Sequence, residues 1–317
     1  MLILLLLISL GFVSLIFGAN WLVDGASSLA KKYNISDLAI GLTIVAFGTS
    51  SPEMVVNAIA SFQGHSDIVL GNVIGSNNFN LFIILGLAGL IFPITVQSST
   101  VWREIPISFL VALLLLVLGN GIIAGNATVV SGIDGIILFI AFVFFLYYVY
   151  NQMKTETNIE VTQVHKSTSK IWVLIIGGLS ALVIGGQLVV NNGIELATNM
   201  GISEKVIGLT IIAAGTSLPE LVTSLVAAMK KNSDIAIGNV IGSNIFNILL
   251  ILSLSSFIKP IAFNQNFNLD IYILMAGTLF LFVAMFTGRR KKIDRWESAL
   301  FLGFYLFYTG FLIWKEI

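Results

Sequence analysis

The chain is 317 residues long, carries 16 Lys and Arg against 16 Asp and Glu, and has no cysteine, which excludes disulfides and thiolate metal sites. Hydrophobic residues make up 57% and charged residues only 10%, with a mean hydropathy of +0.98; soluble domains carry roughly 25% charge, so a water-soluble protein is excluded. The balanced charge leaves no basic patch, and nucleic acid is excluded as a partner.

Apolar runs of about 20 residues, the length that crosses a bilayer, lie near 2–30, 37–61, 71–93, 104–124 and 131–153. Five more lie near 171–199, 204–229, 238–258, 269–288 and 296–315. The runs are continuous rather than alternating, so they predict helices and not barrel strands. The first lacks a basic leader and an A-x-A cleavage pattern and is read as a membrane helix rather than a signal peptide. The expected fold is an all-α membrane protein of ten transmembrane helices. Residues 1–153 form a first five-helix repeat, 154–170 (KTETNIEVTQVHKSTSK) a cytoplasmic linker, and 171–317 a second, inverted five-helix repeat.

The repeat is written in the residues. GLTIVAFGTSSPE at 41–53 returns as GLTIIAAGTSLPE at 208–220, and DIVLGNVIGSNNFN at 67–80 as DIAIGNVIGSNIFN at 234–247. The same offset joins Pro52 to Pro219, Pro93 to Pro260, and Gly18 to Gly185. Placing odd-to-even connections in the cytoplasm puts thirteen Lys and Arg there against three outside, a positive-inside bias that sets both termini outside. Five spans per repeat then force the second repeat to insert upside down, the arrangement of many secondary transporters with a midplane site.

An acid inside a membrane segment is by default a functional residue, and Glu53 and Glu220 stand at equivalent places. Pro52 and Pro219 remove a backbone donor, so each helix is expected to break there and to free carbonyls near Ala46 and Ala213. Thr49, Ser50, Thr216 and Ser217 precede the prolines. One helix on, Ser76 and Asn80 share a face, as do Ser243 and Asn247. Carboxylate, hydroxyl, amide and carbonyl oxygens suit hard cations such as sodium and calcium, and no histidine or cysteine cluster suggests zinc or copper. Two carboxylates neutralise one divalent cation; without it they repel and attract protons or monovalent cations, which is the basis of exchange. Asp24 and Glu195 are read as interfacial, His65 and His165 as solvated, and Asp67 and Asp234 as caps preceding their helices. Trp21, Trp102, Trp172, Trp296 and Trp314 fit interfacial anchors.

These paired G-T-S-x-P-E and G-N-V-I-G-S-N-x-F-N segments, over ten spans, resemble the cation/calcium exchanger superfamily, specifically its prokaryotic sodium/calcium exchangers. The resemblance implies Glu53 and Glu220 as central calcium ligands. It implies Thr49, Ser50, Ser76, Thr216, Ser217 and Ser243, with the carbonyls of Ala46 and Ala213, as the lining of adjoining sodium and calcium sites. It also implies that the first and sixth helices slide across the other eight. Proton/calcium exchangers of the superfamily usually have G-N-x-x-E at the acid motif, so G-T-S-x-P-E favours sodium. Potassium-dependent members carry Asp where this chain has Asn247, so potassium independence is implied. The expected function is sodium/calcium antiport in a prokaryotic inner membrane. Calcium and sodium ions are the partners, with the lipid bilayer around them; there is no cofactor, and the unit is a monomer. Proton/calcium exchange is the alternative. A passive channel would need no counter-ion gradient, and an enzyme would need a nucleophile and base that the sequence does not display.

Overall fold

The computed structural model describes residues 1–122, 128–155, 167–200, 213–287 and 291–316. It is built almost wholly from helices: α1 (Leu2–Tyr33), α2 (Asp37–Thr49), α3 (Ser51–Gln63), α4 (Ser66–Ile91), α5 (Thr100–Gly119), α6 (Gly132–Thr155), α7 (Thr168–Asn199), α8 (Leu218–Met229), α9 (Ser233–Ile258), α10 (Phe267–Ala284) and α11 (Arg295–Glu316). Among the described residues seven helices are long and apolar enough to cross a membrane, and eight if the bent pair α2 and α3 is one span. The chain is a multi-pass membrane protein. The stretch expected as the seventh span starts at 204, and only its part from Ala213 onward falls within the described residues.

Two helix starts differ from the sequence expectation. Helices α4 and α9 begin at Ser66 and Ser233, five residues before the apolar runs, because Asp67 and Asp234 lie inside the first turn rather than ahead of it. Acids there face the positive end of the helix dipole. Asn232, not Asp234, caps α9, its side chain accepting from Ile235 N at 3.1 Å. The aspartates receive bonds from elsewhere: Gln97 Nε2 donates to Asp234 at 2.7 Å and Asn264 Nδ2 to Asp67 at 3.4 Å. Of the stretch 154–170, α6 reaches Thr155 and α7 begins at Thr168, and 156–166 lie outside the described residues. His165 lies outside the described residues.

Two short antiparallel ribbons tie connections together. β1 (Ile94–Thr95) pairs with β4 (Lys292–Ile293), and β2 (Val129–Val130) with β3 (Ile261–Ala262). Each helix start is pinned to a ribbon: Thr95 N donates to Ser233 Oγ at 3.3 Å, and Ala262 N to Ser66 Oγ at 3.0 Å. These bonds come as a pair related by the repeat offset.

The main core gathers α4, α5, α6, α9 and α10, with α9 buried without interruption from Ile235 to Ser253. A second apolar cluster joins α1, α2 and α7 to α8 and the start of α9. Helices α1 and α7 pack antiparallel, backbone on backbone. A Cβ on Gly11 would come 2.9 Å from Gly185 O, one on Gly18 2.8 Å from Gly178 O, and one on Gly178 2.7 Å from Gly18 O. Glycine every seventh residue places one per two turns on the same face, the small-residue device that lets membrane helices approach closely.

Candidate functional site

The break expected at the first proline is present. Helices α2 and α3 meet at 46°, with Ser50 at φ −80°, ψ 7° between them and Pro52 in the first turn of α3. Ser217 adopts φ −88°, ψ 8° ahead of α8, with Pro219 in its first turn. Proline is favourable there because the N–H it lacks has no intrahelical partner. The break therefore positions a helix start, and Glu53 and Glu220 fall in the first turns of α3 and α8. One expectation is corrected: the Ala46 carbonyl is not freed, since it accepts from Ser50 N at 3.0 Å. The donor lost to Pro52 is the one that an unbroken helix would aim at Gly48. Ala213 opens the short helical turn Ala213–Gly215.

Each motif closes on the other. Ser50 Oγ donates to Glu220 Oε1 at 2.9 Å, and Ser217 Oγ lies 3.1 Å from both Glu53 Oε1 and Ser76 Oγ. Thr216 Oγ1 donates to Asn72 Oδ1 at 3.2 Å, and Thr49 Oγ1 lies 3.0 Å from Asn239 Oδ1 and 3.1 Å from Val45 O. Positions 49 and 216, 50 and 217, 53 and 220, 72 and 239 are repeat partners, so Ser50–Glu220 is matched by Ser217–Glu53 and Thr49–Asn239 by Thr216–Asn72 with the roles exchanged, whereas Ser217–Ser76 has no counterpart at Ser243. Glu53 and Glu220 are each 1% exposed, so neither carboxylate is screened by bulk water.

Beside them four asparagines form a closed network. Asn77 Nδ2 donates to Asn244 O at 3.1 Å, and Asn244 Nδ2 to Asn77 O at 3.2 Å. Asn247 Nδ2 donates to Asn77 Oδ1 at 3.0 Å and Asn80 Nδ2 to Asn244 Oδ1 at 3.1 Å. This fixes the amide orientation. With Asn77 and Asn244 offering only oxygen, Asn80 and Asn247 must present nitrogen, and their Oδ1 atoms are left over. Those two oxygens have no hydrogen-bond partner, and neither do Glu53 Oε2, Glu220 Oε2 and Ser243 Oγ, all of them buried. An unmade bond at a buried polar atom costs about 1–3 kcal/mol. Two carboxylate and two amide oxygens that accept no proton are a donor set for a hard cation.

π-helical turns at Phe79–Ile84 and Asn247–Ile251 begin at or beside these asparagines. Such turns re-aim side chains and are frequent at functional sites. The structure thus brings together Thr49, Ser50, Glu53, Ser76, Asn80, Thr216, Ser217, Glu220 and Asn247 in bonded contact across the repeat, with Ser243 buried on α9. Sequence reading missed Asn72, Asn239, Asn77 and Asn244. Their signal was present, because each recurs in both copies of G-N-V-I-G-S-N.

Outside this cluster, Asp24 pairs with Lys230 at 2.7 Å on the surface. Trp21, Trp102, Trp172 and Trp296 are all exposed.

Comparison with known proteins gives a consistent result. The model of a family described as sodium/calcium exchanger protein matches residues 3–151 and 170–314. CaxA of Alkalimonas amylolytica is 38% identical over 98% of this chain and 99% of its own length. The sodium/calcium exchanger MaX1 of Methanosarcina acetivorans is 32% identical, with 97% of each chain covered. A solved structure of the sodium-calcium exchanger NCX_Mj superposes with a TM-score of 0.85 at 34% identity, covering 98% of this chain and 100% of the other.

Proposed function

Because this chain belongs to the sodium/calcium exchanger protein family, we propose that it is a secondary active antiporter, exchanging sodium for calcium across a prokaryotic cell membrane by alternating access. The observation that carries this is the reciprocal closure of the two acid motifs. Ser50 on Glu220 and Ser217 on Glu53 use one oxygen of each acid and leave the other buried without a donor. Calcium is held by those two carboxylates, whose charge balances a divalent ion, with Asn80 and Asn247 supplying neutral oxygen. Thr49, Ser50, Ser76, Thr216, Ser217 and Ser243 line adjoining sodium and calcium positions. The carbonyl of Ala46, which accepts from Ser50 N and lies 3.3 Å from Thr49 Oγ1, joins this lining, and that of Ala213 is its counterpart.

Ten spans in two inverted repeats, 1–153 and 171–317, underlie this reading. Ribbon pairing supports it: with ten spans β1 and β4 each follow an odd number of crossings, and β2 and β3 an even number, so each ribbon lies on one side of the membrane. The exchanged hydrogen bonds and the antiparallel α1 and α7 support it too. Charge bias then sets both termini outside the cytoplasm. Sodium rather than protons is the driving ion on the strength of G-T-S-x-P-E, and Asn247 makes potassium unnecessary.

The test is calcium counterflow in proteoliposomes with sodium and pH gradients imposed separately. Calcium uptake driven by an outward sodium gradient at constant pH is the expected result. Uptake driven only by a pH gradient would replace sodium by protons, and uptake with no counter-ion gradient would make the protein a channel.

A further inference from the structure

The two acid-bearing helices differ below their acids. On α8 the positions one and two turns after Glu220 are Ser224 and Ala228. Ser224 Oγ accepts from Asn239 Nδ2 at 2.9 Å, and that amide also reaches Glu220 O at 3.3 Å; Glu220 Oε2 and Thr223 Oγ1 lack a partner, but the next turn of α8 offers only the buried methyls of Ala227 and Ala228, so no polar line continues from them. On α3 the matching positions are Asn57 and Ser61, 0% and 3% exposed. No such bond closes there. Asn57 Nδ2, Asn57 Oδ1, Ser61 Oγ and Asn72 Nδ2 on the neighbouring α4 all lack a partner, as does Glu53 Oε2 at the head of the line. Buried polar side chains in folded proteins are satisfied by protein or by ordered water. Here the protein supplies no partner.

The line also reaches the surface. Ser61 forms one wall of a cavity of about 10 Å³, together with Gly64, Ser66, Val69, Lys259, Pro260 and Ile261; Gly64, Lys259 and Pro260 are exposed. Glu53, Asn57 and Ser61 share one helix face, and eight residues of helix span about 12 Å.

We propose that a short file of ordered water occupies the line Glu53, Asn57, Ser61 and opens beside Lys259 on the face that holds β2 and β3, with no counterpart running from Glu220. Water rather than a metal cation is the occupant for two reasons. The mouth has about the 10–15 Å³ that one water requires. The Lys259 ammonium stands over Gly64, 2.5 Å from where a Cβ would sit, and repels positive ions there. Solvent can then hydrate the carboxylate as a cation departs, while the cation takes another route. That consequence rests on the exchanger reading; the water itself does not.

The chain has no cysteine, so single cysteines report cleanly. A thiol exchanges its proton only with water that touches it, so on transfer to D2O the S–H stretch of Asn57→Cys should give way to the S–D stretch about tenfold or more faster than that of Ser224→Cys at the equivalent place. Equal rates would overturn the proposal. In the unaltered protein, a crystal structure at a resolution that shows solvent should place water within bonding distance of Asn57 and Ser61, and a dry line would overturn it independently. Neither readout needs transport, so failure of calcium exchange and failure of the water file are separate outcomes.

Discussion

At the scale of single residues, the proposed site rests on four buried oxygens that accept no hydrogen bond, Glu53 Oε2, Glu220 Oε2, Asn80 Oδ1 and Asn247 Oδ1. Glu53→Gln and Glu220→Gln retain size and one oxygen but replace the other by a donor. Losing one member of a buried charged set costs about 3–5 kcal/mol, enough to lower calcium affinity a hundredfold or more. Each variant should therefore elute as a folded protein while radioactive calcium uptake in vesicles falls to background; near wild-type uptake in either would disprove a two-acid site. Protons and calcium compete for the same carboxylate oxygens, so acidification should weaken calcium binding and added calcium should restore it. Inhibition that calcium does not relieve would place the proton elsewhere. Asn247→Asp adds a third carboxylate to the cluster, and the expected result is calcium flux more sensitive to pH and to added potassium. The unaltered protein should run on sodium alone, and flux that is silent until potassium is supplied would contradict the role given to Asn247. Glu53 and Glu220 were legible in the sequence because a carboxylate is costly inside an apolar run and this one occurs twice at equivalent places. Asn57 was not: its repeat partner is Ser224 rather than a second asparagine, and its significance lies in bonds it fails to make.

Among the elements, α1 and α7 depend on contact without side chains. A methyl on Gly18 meets Gly178 O at 2.8 Å and Leu182 N at 2.9 Å, both rigid backbone. The three atoms nearest a methyl on Gly48 all belong to the Leu179 side chain, which can rotate away. Overpacking of this kind typically costs about 1–3 kcal/mol, and Gly18→Ala should lower the melting temperature in detergent clearly more than Gly48→Ala. A reversed order would mean that α1 and α7 separate easily. The helices were readable because apolar length is a strong signal. Their first turns were not, since Ser66-Asp67 and Ser233-Asp234 look like connection. The π-helical turns at Phe79–Ile84 and Asn247–Ile251 insert one residue per turn and leave no trace in composition. Two-residue ribbons are likewise too short to pattern, although β1–β4 ties segments 197–199 residues apart and β2–β3 segments 131–133 apart.

For the molecule as a whole, bonds exchanged between repeat partners make distant segments one structure. Asn77 and Asn244 each donate to the other's carbonyl, so Asn77→Leu and Asn244→Leu should not add. A double-mutant cycle on thermal stability should return a coupling of about 0.5–3 kcal/mol, and strict additivity would mean that the two bonds are independent. The glycines of the acid motifs carry a further consequence. Gly48 lies under Leu179 and Gly215 under Val190: a Cβ would come within 2.3 Å and 2.4 Å of those side chains. Both roofs belong to α7, eleven residues and about 16 Å apart. One helix thus lies over the break before Pro52 and over the turn Ala213–Gly215, and any displacement along its length alters both covers at once. Under the proposed alternating access, one helix resting on both motifs would act as a common bolt, so that opening one side and shutting the other would be a single mechanical event.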